Sequence, residues 1–580
     1  MTTYDDPASE LPRLRVSFGF ENDTAFLDNE DNVAGSQLPN VSGHSTPTVG
    51  ACQLNLDLLA NSIAPLTEFF DVKFCPYQPL DCDPIFAAVS KKHVVICKLS
   101  QSSGDANPCE IITVIRDDDV EASACCCTWT KDPVTERPLI CIGGVDAKVK
   151  IYDVIEGKLF KLIKIQNKCF TGHGSDVNDL ATSPVDPSII VSASDDTSVR
   201  VWSLDPKHED RPCLCILAGE GHSWNLLSVV SFSHASPQPL MASSHYFLAP
   251  MQAFHDTGRY ILSAGHDQII NLWTLPDLPT EPITTPIRIH YPHFSTSAVH
   301  SGIVDCVAFY GDQILSRACH DNVISLWRIE GFSSDGPPPP QSIAPTPQNI
   351  VPANYDEAGR LTRSAFVPTI SPQCPAQYTR VLDFHTPNCG PQFFMRFKLH
   401  FMPGQNPVLA FCNAGGNIFF WDFKRLTVYG DFMKGLRSHA PGKRPPSRPS
   451  WLRPLQHRHS KADTTGKQRS SAPGKESPAV SQADEVPKGK EDIKEFNAET
   501  LESWAAKYSL EDAHEPLRAH KTESSSANFV GRQAAWSPGG EWCVIVGSSN
   551  TALILQRWAK KAPPKATEST KRASGIYAGF

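Results

Sequence analysis

Cysteine is the residue type in this chain with the most chemical options, because a thiol can ligate a metal, form a disulfide or act as a nucleophile. The sequence has 18 cysteines among 580 residues, with one cluster at Cys125, Cys126 and Cys127 and another at Cys213 and Cys215. Zinc sites commonly pair two cysteines with two other residues between them (CxxC), and neither cluster has that spacing. A thiol also packs well as a small apolar group inside a strand. We therefore predict core cysteines, with no metal and no other cofactor.

Other arrangements that support catalysis are also missing from the sequence. It contains neither the GxxxxGK[ST] phosphate-binding loop nor the HExxH metal-binding motif. Residues 219–223 (GEGHS) place a serine at the wrong position for a GxSxG nucleophile elbow. An enzyme needs paired acids, a metal cluster or a nucleophile with its base. We therefore predict that the protein is not an enzyme and acts by binding.

The element best suited to position binding residues is the stretch from Gly172 to Trp202. It begins with a Gly-His pair, continues with alternating apolar residues and a Ser/Asp turn, and ends in tryptophan, which is typical of one WD40 blade. In such a blade the turn residue Asp196 is the natural hydrogen-bond partner of His173, and Trp202 fills the apolar face. One blade cannot bury both of its faces, so further blades must follow.

The same signature recurs along the chain. An aspartate stands six residues before a tryptophan in three units: Asp196 and Trp202, Asp267 and Trp273, Asp321 and Trp327. Weaker units contain Trp129 and Trp421. The seven units cover residues 70–99, 124–154, 170–204, 222–275, 300–329, 393–423 and 529–558. Seven blades can close into a ring without open sheet edges, so we predict an all-β fold, a seven-bladed WD40 β-propeller.

The units are spaced more widely than WD40 repeats require. Seven blades need roughly 300 residues, so the remainder must lie in insertions and termini. We predict a disordered N-terminal arm at residues 1–65, the propeller at residues 66–560 and a disordered tail at residues 561–580. The predicted insertions are residues 230–250, 276–298, 330–392 and 424–528.

The last insertion is unusual in its charge. Residues 434–475 carry eleven lysines and arginines against one acidic residue. Such a segment is either a solvated disordered linker or a nuclear-import or nucleic-acid-contacting tract. The net charge of −9 argues against nucleic-acid binding elsewhere in the chain. Further on, Leu501, Trp504 and Tyr508 fall at i, i+3 and i+7, which predicts a short amphipathic helix docked on the propeller.

The sequence also bears on location. Residues 1–15 lack the apolar core of a secretory signal, and no run of about 18 apolar residues suggests a membrane span. We therefore expect no membrane partner and reduced thiols in the cytosol or nucleus.

Several stretches resemble the embryonic ectoderm development / extra sex combs family, the propeller subunit of Polycomb repressive complex 2. The most specific is residues 289–316, which begin IHYPHFST. Weaker matches are residues 83–87, 172–180, 186–192, 394–397 and 532–533, and they follow the family order. The resemblance implies a nuclear, non-catalytic scaffold that represses transcription. Its partners would be a SET-domain histone lysine methyltransferase, which it binds and stimulates, and the other subunits of the complex.

The resemblance also implies a site for trimethyl-lysine of histone H3 on one face of the propeller. Aromatic walls suit this group because a trimethylammonium attracts ring faces and cannot donate a hydrogen bond. By motif, three of the four walls of this cage fall on Phe86, Phe393 and Phe394. The fourth falls on Cys125, which is not aromatic, so we expect about tenfold weaker binding. Arg532, from the family's Arg-Gln pair, is expected to line the opening of this cage and to contact the bound peptide.

Two alternatives remain open at the level of sequence. A WD40 substrate receptor of a ubiquitin ligase often carries a Trp-Asp-x-Arg motif at a blade end, and residues 421–424 (WDFK) depart from it at one position. A propeller hydrolase would need the catalytic constellation that the sequence lacks. Co-purification distinguishes the first alternative from the Polycomb prediction, since the partners differ.

Overall fold

A computed structural model describes most of the propeller. The described residues are 9–20, 67–100, 107–117, 119, 122–160, 169–230, 255, 257–347, 362–367, 376–438, 446–455, 496–512, 515–525 and 529–558. Their strands form seven sheets, and the inner strand of a sheet contacts its neighbour around a central axis. The predicted seven-bladed β-propeller is therefore confirmed. Within these ranges, no helix is both long and apolar enough to cross a membrane.

Most strands follow the blades in chain order. The exceptions are the first, β1 (Arg13–Gly19), and the outermost strands of blades 3 and 4, which come later in the chain than the first strands of the next blade. Blade 1 contains β2 (Phe69–Phe74), β3 (Ile85–Ser90), β4 (His93–Leu99) and β5 (Cys109–Arg116). Blade 2 contains β6 (Ala124–Lys131), β7 (Pro138–Gly144), β8 (Val149–Asp153), β9 (Lys158–Leu159) and β10 (Cys169–Phe170). Blade 3 contains β11 (Val177–Thr182), β12 (Ile189–Ser194), β13 (Val199–Ser203), β14 (Cys213–Leu217) and the later strand β18 (Ile287–Ile289).

The remaining blades have the same organisation. Blade 4 contains β15 (Leu226–Val230), β16 (Tyr260–Gly265), β17 (Ile270–Thr274), β19 (Phe294–Thr296) and β23 (Thr362–Ser364). Blade 5 contains β20 (Val304–Tyr310), β21 (Gln313–Ala318), β22 (Val323–Ile329) and β24 (Tyr378–His385). Blade 6 contains β25 (Lys398–His400), β26 (Val408–Cys412), β27 (Asn417–Asp422) and β28 (Lys521–Ser524). Blade 7 contains β29 (Gly531–Trp536), β30 (Trp542–Gly547), β31 (Thr551–Gln556) and β1.

The first strand closes the ring from the opposite end of the chain. β1 pairs antiparallel with β31 and so supplies the outer strand of blade 7. Phe18 and Phe20 are buried there, and the ring of Phe20 stacks on Phe69 of blade 1 at 4.3 Å between centroids. The prediction of a disordered arm is wrong for residues 13–19, which form a strand. The short apolar alternation that ends in these two phenylalanines is the mark of a half-buried strand.

Three of the predicted insertions supply outer strands of blades. Residues 276–298 include β18 and β19, residues 330–392 include β23 and β24, and residues 424–528 include β28. Four of these five strands have only three or four residues, too few for a clear apolar pattern. β24 has eight residues, of which three are buried, and β28 has no buried residue. The predicted insertion at residues 230–250, apart from its first residue, and the tail at residues 561–580 lie outside the described residues.

Two helices project from blade 6. α1 (Phe423–Arg437) starts directly after β27, where the Asp422 side chain accepts a hydrogen bond from the first turn. α2 (Ala498–Tyr508) is the helix predicted from the i, i+3, i+7 spacing. The two helices share an apolar cluster formed by Tyr429, Phe432, Leu452, Trp504 and Tyr508. The Tyr508 ring also lies 4.6 Å from His520 beside β28, so α2 docks on the propeller as predicted.

Hydrogen-bonded tetrads stabilise blades 3, 4 and 5. In blade 3 the Trp202 indole donates to Ser192 Oγ at 2.7 Å, this hydroxyl contacts His173 Nε2 at 2.6 Å, and His173 Nδ1 contacts Asp196 at 2.9 Å. The indole can only donate, so the hydroxyl donates to Nε2 and Nδ1–H donates to the carboxylate. Burial lowers the pKa of His173 despite its hydrogen bond to the Asp196 carboxylate, in keeping with a neutral ring.

The other predicted blade residues occupy matching positions. Equivalent tetrads are His222, Asp267, Ser263 and Trp273 in blade 4, and His300, Asp321, Ser316 and Trp327 in blade 5. In blade 6, Trp421 is fully buried and donates to the backbone oxygen of Leu517 at 3.2 Å. The structural roles predicted for these side chains are confirmed.

Candidate functional site

A ring of bulges surrounds one end of the propeller axis. Six inner strands carry one extra residue near their start, where the pairing register shifts. The bulged residues of blades 1, 2, 3, 4, 5 and 7 are Phe70, Cys125, Asn178, Leu227, Asp305 and Arg532. Because the inner strands start on the same face, these residues encircle one opening, which we call the mouth. A bulge redirects a side chain, so the sequence of each blade can place a different group there.

Blade 6 contributes a loop to the mouth just before its inner strand. Phe393 and Phe394 are half-buried there, and Phe394 has a left-handed backbone with φ of 55°. That conformation is costly for a bulky side chain and is characteristic of functional sites. Blade 5 holds the next residue, Met395, whose N–H donates to Asp305 at 3.3 Å and whose carbonyl accepts from Arg317 at 3.2 Å.

A buried ion pair supports this loop from below. Arg317 contacts both oxygens of Asp305 at 2.7 and 2.8 Å, and both side chains are at most 1% exposed. Burial opposes the charge on Arg317, but the Asp305 carboxylate raises its pKa, so the guanidinium stays charged. The pair therefore fixes residues 393–395, which we call the 393–395 loop, by a charged hydrogen-bond network.

Arg532 lies beside the same loop. Its Nε contacts Glu68 at 2.6 Å, its Nη1 donates to the backbone oxygen of Phe393, and its own carbonyl accepts from Arg396 N at 2.7 Å. Arg532 therefore lies at the mouth, beside the 393–395 loop. Its predicted contact with a bound peptide stays a prediction.

A buried cation packs under one of the mouth phenylalanines. The Arg396 guanidinium carbon lies 5.5 Å from the Phe394 ring centroid, within cation–π range. The same guanidinium donates to the carbonyl of Leu227 at 2.9 Å and lies 3.5 Å from Asp179. Burial opposes the charge, but Asp179 raises the pKa of Arg396. Arg396 thus links blade 6 to blades 3 and 4 across the axis and holds the Phe394 ring in place.

Below the mouth, paired charges occupy the axis. Lys73 lies 3.4 Å from Asp71 and 3.8 Å from Asp179, and it donates to the backbone oxygens of Cys127 and Leu180 at 2.6 and 2.8 Å. These contacts satisfy the ammonium group within the protein. These charged side chains below the mouth are therefore paired with one another and with the backbone.

Phe86 does not lie at the mouth, so its prediction as a cage wall is wrong. Its ring is fully buried in blade 1, 5.4 Å from Phe74. In the pairing of β2 with β3, Phe86 lies opposite Phe74, at the end of β2 remote from the mouth. The residue of blade 1 that does reach the mouth is Phe70, half-buried at the same bulge position as Cys125. The sequence contains the signal, because Phe70 precedes Phe74 by the spacing that separates Cys125 from Trp129.

Cys125 lies at the bulge of blade 2, at the mouth. Its thiol is half-buried and contacts the Val177 carbonyl at 3.0 Å, whereas Cys126 and Cys127 are fully buried. In the part of the chain that the structure describes, no group of three or more His, Cys, Asp or Glu side chains could hold a metal ion. The mouth presents the rings of Phe70, Phe393 and Phe394 and the Cys125 thiol to a ligand.

Seven blades, antiparallel apart from the pairing of β14 with β18, with His-Asp-Ser-Trp tetrads in three of them, define a WD40-repeat propeller. The family model described as WD domain, G-beta repeat, matches residues 164–203 and 248–274. Polycomb protein EED of Chaetomium thermophilum is 43% identical to this chain over 97% of the chain and 98% of that protein. The chain therefore belongs to the EED/ESC family of Polycomb proteins. Polycomb protein esc of Drosophila melanogaster is 25% identical over 45% of the chain and 56% of that protein.

Solved structures show the same relationship. The chain matches a subunit chain in the crystal structure of Chaetomium thermophilum polycomb repressive complex 2 with a TM-score of 0.72 and 43% identity, covering 96% of this chain and all of that one. A second match, at 44% identity and the same TM-score and coverage, is in the structure of ctPRC2 in complex with H3K27me3 and H3K27M.

Proposed function

We propose that this protein is the non-catalytic scaffold of a Polycomb repressive complex 2, acting in the nucleus with a SET-domain histone lysine methyltransferase and the other subunits of that complex. The observation that carries this proposal is likeness over nearly the whole chain to a protein solved within that complex. We further propose that the mouth binds trimethyl-lysine of the histone H3 tail weakly, and that this binding stimulates the methyltransferase.

The face opposite the mouth supports the scaffold role. The loops between the first and second strands of blades 1, 2 and 3 each present an exposed aliphatic side chain: Leu80, Val134 and Val185, 51%, 70% and 63% exposed. These loops follow the inner strands, so they lie at the end remote from the bulges. Exposed apolar groups on adjacent blades are typical of a protein interface. We propose that a helix of the methyltransferase covers them.

The mouth supports weak reading of trimethyl-lysine. A trimethylammonium cannot donate a hydrogen bond, so its recognition depends on ring faces, each good face contributing on the order of 0.5–2 kcal/mol. Phe70, Phe393 and Phe394 supply three rings around the opening, and Cys125 leaves the fourth side without one. Phenylalanine attracts cations less than tryptophan does. This set of side chains therefore favours the ligand but limits its affinity.

We expect the Phe394→Ala variant to bind a trimethylated histone H3 peptide about tenfold more weakly than the parent, because it loses one of three ring faces. Titration of the full-length chain by calorimetry or fluorescence anisotropy measures this. Leu80→Ala, on the opposite face, is the control and should bind like the parent. Equal affinities for the parent and Phe394→Ala would contradict a reading site at the mouth. A parent affinity in the low micromolar range would contradict weak reading.

Cys125→Tyr is the matched variant that adds an aromatic ring to the site. A tyrosine at this bulge adds the missing fourth face, so the affinity for the same peptide should rise by about tenfold. The unmethylated peptide serves as the control, and its binding should not change. A tyrosine that leaves the trimethyl-lysine affinity unchanged would show that the Cys125 position does not face the ligand.

A further inference from the structure

An aromatic stack leads from the mouth onto the surface of blade 4. The Phe393 ring lies 5.8 Å from the His266 ring with 28° between planes, and His266 lies 6.4 Å from Trp224, also at 28°. Trp224 is 62% exposed, which is unusual for so large an apolar side chain. The stack of Phe393, His266 and Trp224, which we call the aromatic ladder, therefore continues the mouth outward.

The blade 4 tetrad holds the outer two rings of the ladder in place. Trp224 follows His222 by two residues, and His266 precedes Asp267 in the turn between β16 and β17. His222 contacts Asp267 at 3.0 Å, and the backbone N–H of Ser223 donates to the same carboxylate oxygen at 3.0 Å. Both segments are thus joined by the hydrogen bonds that stabilise the blade. The ladder is a preorganised platform and needs little ordering on binding.

Asp195 of blade 3 lies near the His266 ring of the ladder. The Asp195 carboxylate accepts from Asn178 at 2.6 Å, and it interacts electrostatically with Asp176 and with His266. Its other neighbour, Asp196, already has partners in His173 and in Arg200 at 3.6 Å. The side of the ladder toward blade 3 is therefore negative, and a cationic group above the rings would meet complementary charge.

We propose that the ladder, with Asp195 and Asp176, binds an arginine side chain of the peptide whose trimethyl-lysine occupies the mouth; this rests on the function proposed above. A guanidinium is planar, stacks on aromatic faces and pairs with carboxylates through fixed donors, whereas lysine offers a compact charge that does not stack. The two centroid distances let the ladder reach at most about 12 Å from Phe393, which corresponds to no more than about three to four residues of extended chain. Continuity with the mouth and the acidic flank favour this occupant over an uncharged one.

The test is a pairwise comparison on the full-length chain. Trimethyl-lysine peptides carry a single arginine, placed in turn at each of the four positions on either side, and each is paired with its alanine counterpart. For the arginine peptide that binds tightest, we expect Trp224→Ala to reduce affinity about fivefold, with no change for its alanine partner. Ile155→Ala, an exposed aliphatic residue between β8 and β9, is the matched control and should leave both affinities unchanged.

The outcomes separate this inference from the proposed function. If Trp224→Ala weakens the arginine and alanine peptides equally, or weakens neither, the arginine site is overturned while the mouth still binds trimethyl-lysine. A lysine peptide that depends on Trp224 as strongly as the arginine peptide also overturns it, because a point charge would then suffice. If the parent binds no trimethylated peptide, or if Phe394→Ala binds as tightly as the parent, the proposed reading function fails and the arginine site fails with it.

Discussion

The Phe20→Ala variant is expected to unfold with a free energy about 3–5 kcal/mol below that of the parent. Phe20 is fully buried, stacks on Phe69 at 4.3 Å and meets the edge of Phe18 at 5.5 Å. It follows directly after β1, so its side chain joins the strand that completes blade 7 to the core of blade 1. Its removal leaves a cavity between blades 7 and 1, beside the strand that closes the ring. Denaturant unfolding followed by tryptophan fluorescence measures the change.

The control for this prediction is Leu80→Ala. Leu80 is 51% exposed on a loop of blade 1, so its truncation should change the free energy of unfolding by no more than about 0.5 kcal/mol. A loss below about 1 kcal/mol for Phe20→Ala would contradict the role of the N-terminal strand in closing the propeller.

The Asp305→Ala variant is expected to lose about 3–5 kcal/mol of stability, because it leaves the fully buried Arg317 guanidinium without its partner. The same change removes the acceptor for Met395 N, so the 393–395 loop is no longer held from blade 5. We therefore also expect the affinity for a trimethyl-lysine peptide to fall. Denaturant unfolding and peptide titration on the same preparation measure the two effects.

The double variant Asp305→Leu with Arg317→Met separates stability from binding. Replacing both charges by apolar groups should recover much of the lost stability. It cannot restore the two hydrogen bonds to Met395, so the peptide affinity should stay low. A double variant that regains both stability and parent-like affinity would show that the ion pair does not position the loop. So would an Asp305→Ala variant that binds peptide like the parent.

The fold could be predicted because its strongest signals are local. A histidine, a turn aspartate and a terminal tryptophan within one unit form the tetrads seen in blades 3, 4 and 5, and each tetrad lies within a single blade. The N-terminal strand could not be found this way, since β1 pairs with β31 more than 500 residues later in the chain. Its own alternating pattern covers too few residues to stand out. Most of the outer strands in the predicted insertions have only three or four residues, so their patterns are also too short to stand out.

Only part of the candidate site could be predicted from the sequence. Phe393, Phe394 and Arg532 meet at the mouth as expected, because the family motifs there are short and contiguous. Phe86 was chosen in place of Phe70 because a motif does not show where a strand bulges, and a shift of register changes which side chain reaches the axis. The contacts that fix the mouth could not be inferred at all. Arg396 reaches Leu227 across the ring, 169 positions away in the sequence.

The scaffold role is tested most directly by purifying the tagged full-length chain from its own cells at its natural level. The co-eluting proteins are identified by mass spectrometry, and the eluate is assayed for methyl transfer to histone H3. We expect a SET-domain methyltransferase to co-elute in about equal amount, together with methyltransferase activity that the isolated chain lacks. A cullin adaptor in its place, or an eluate with no methyltransferase subunit and no activity on histone H3, would contradict the proposed function.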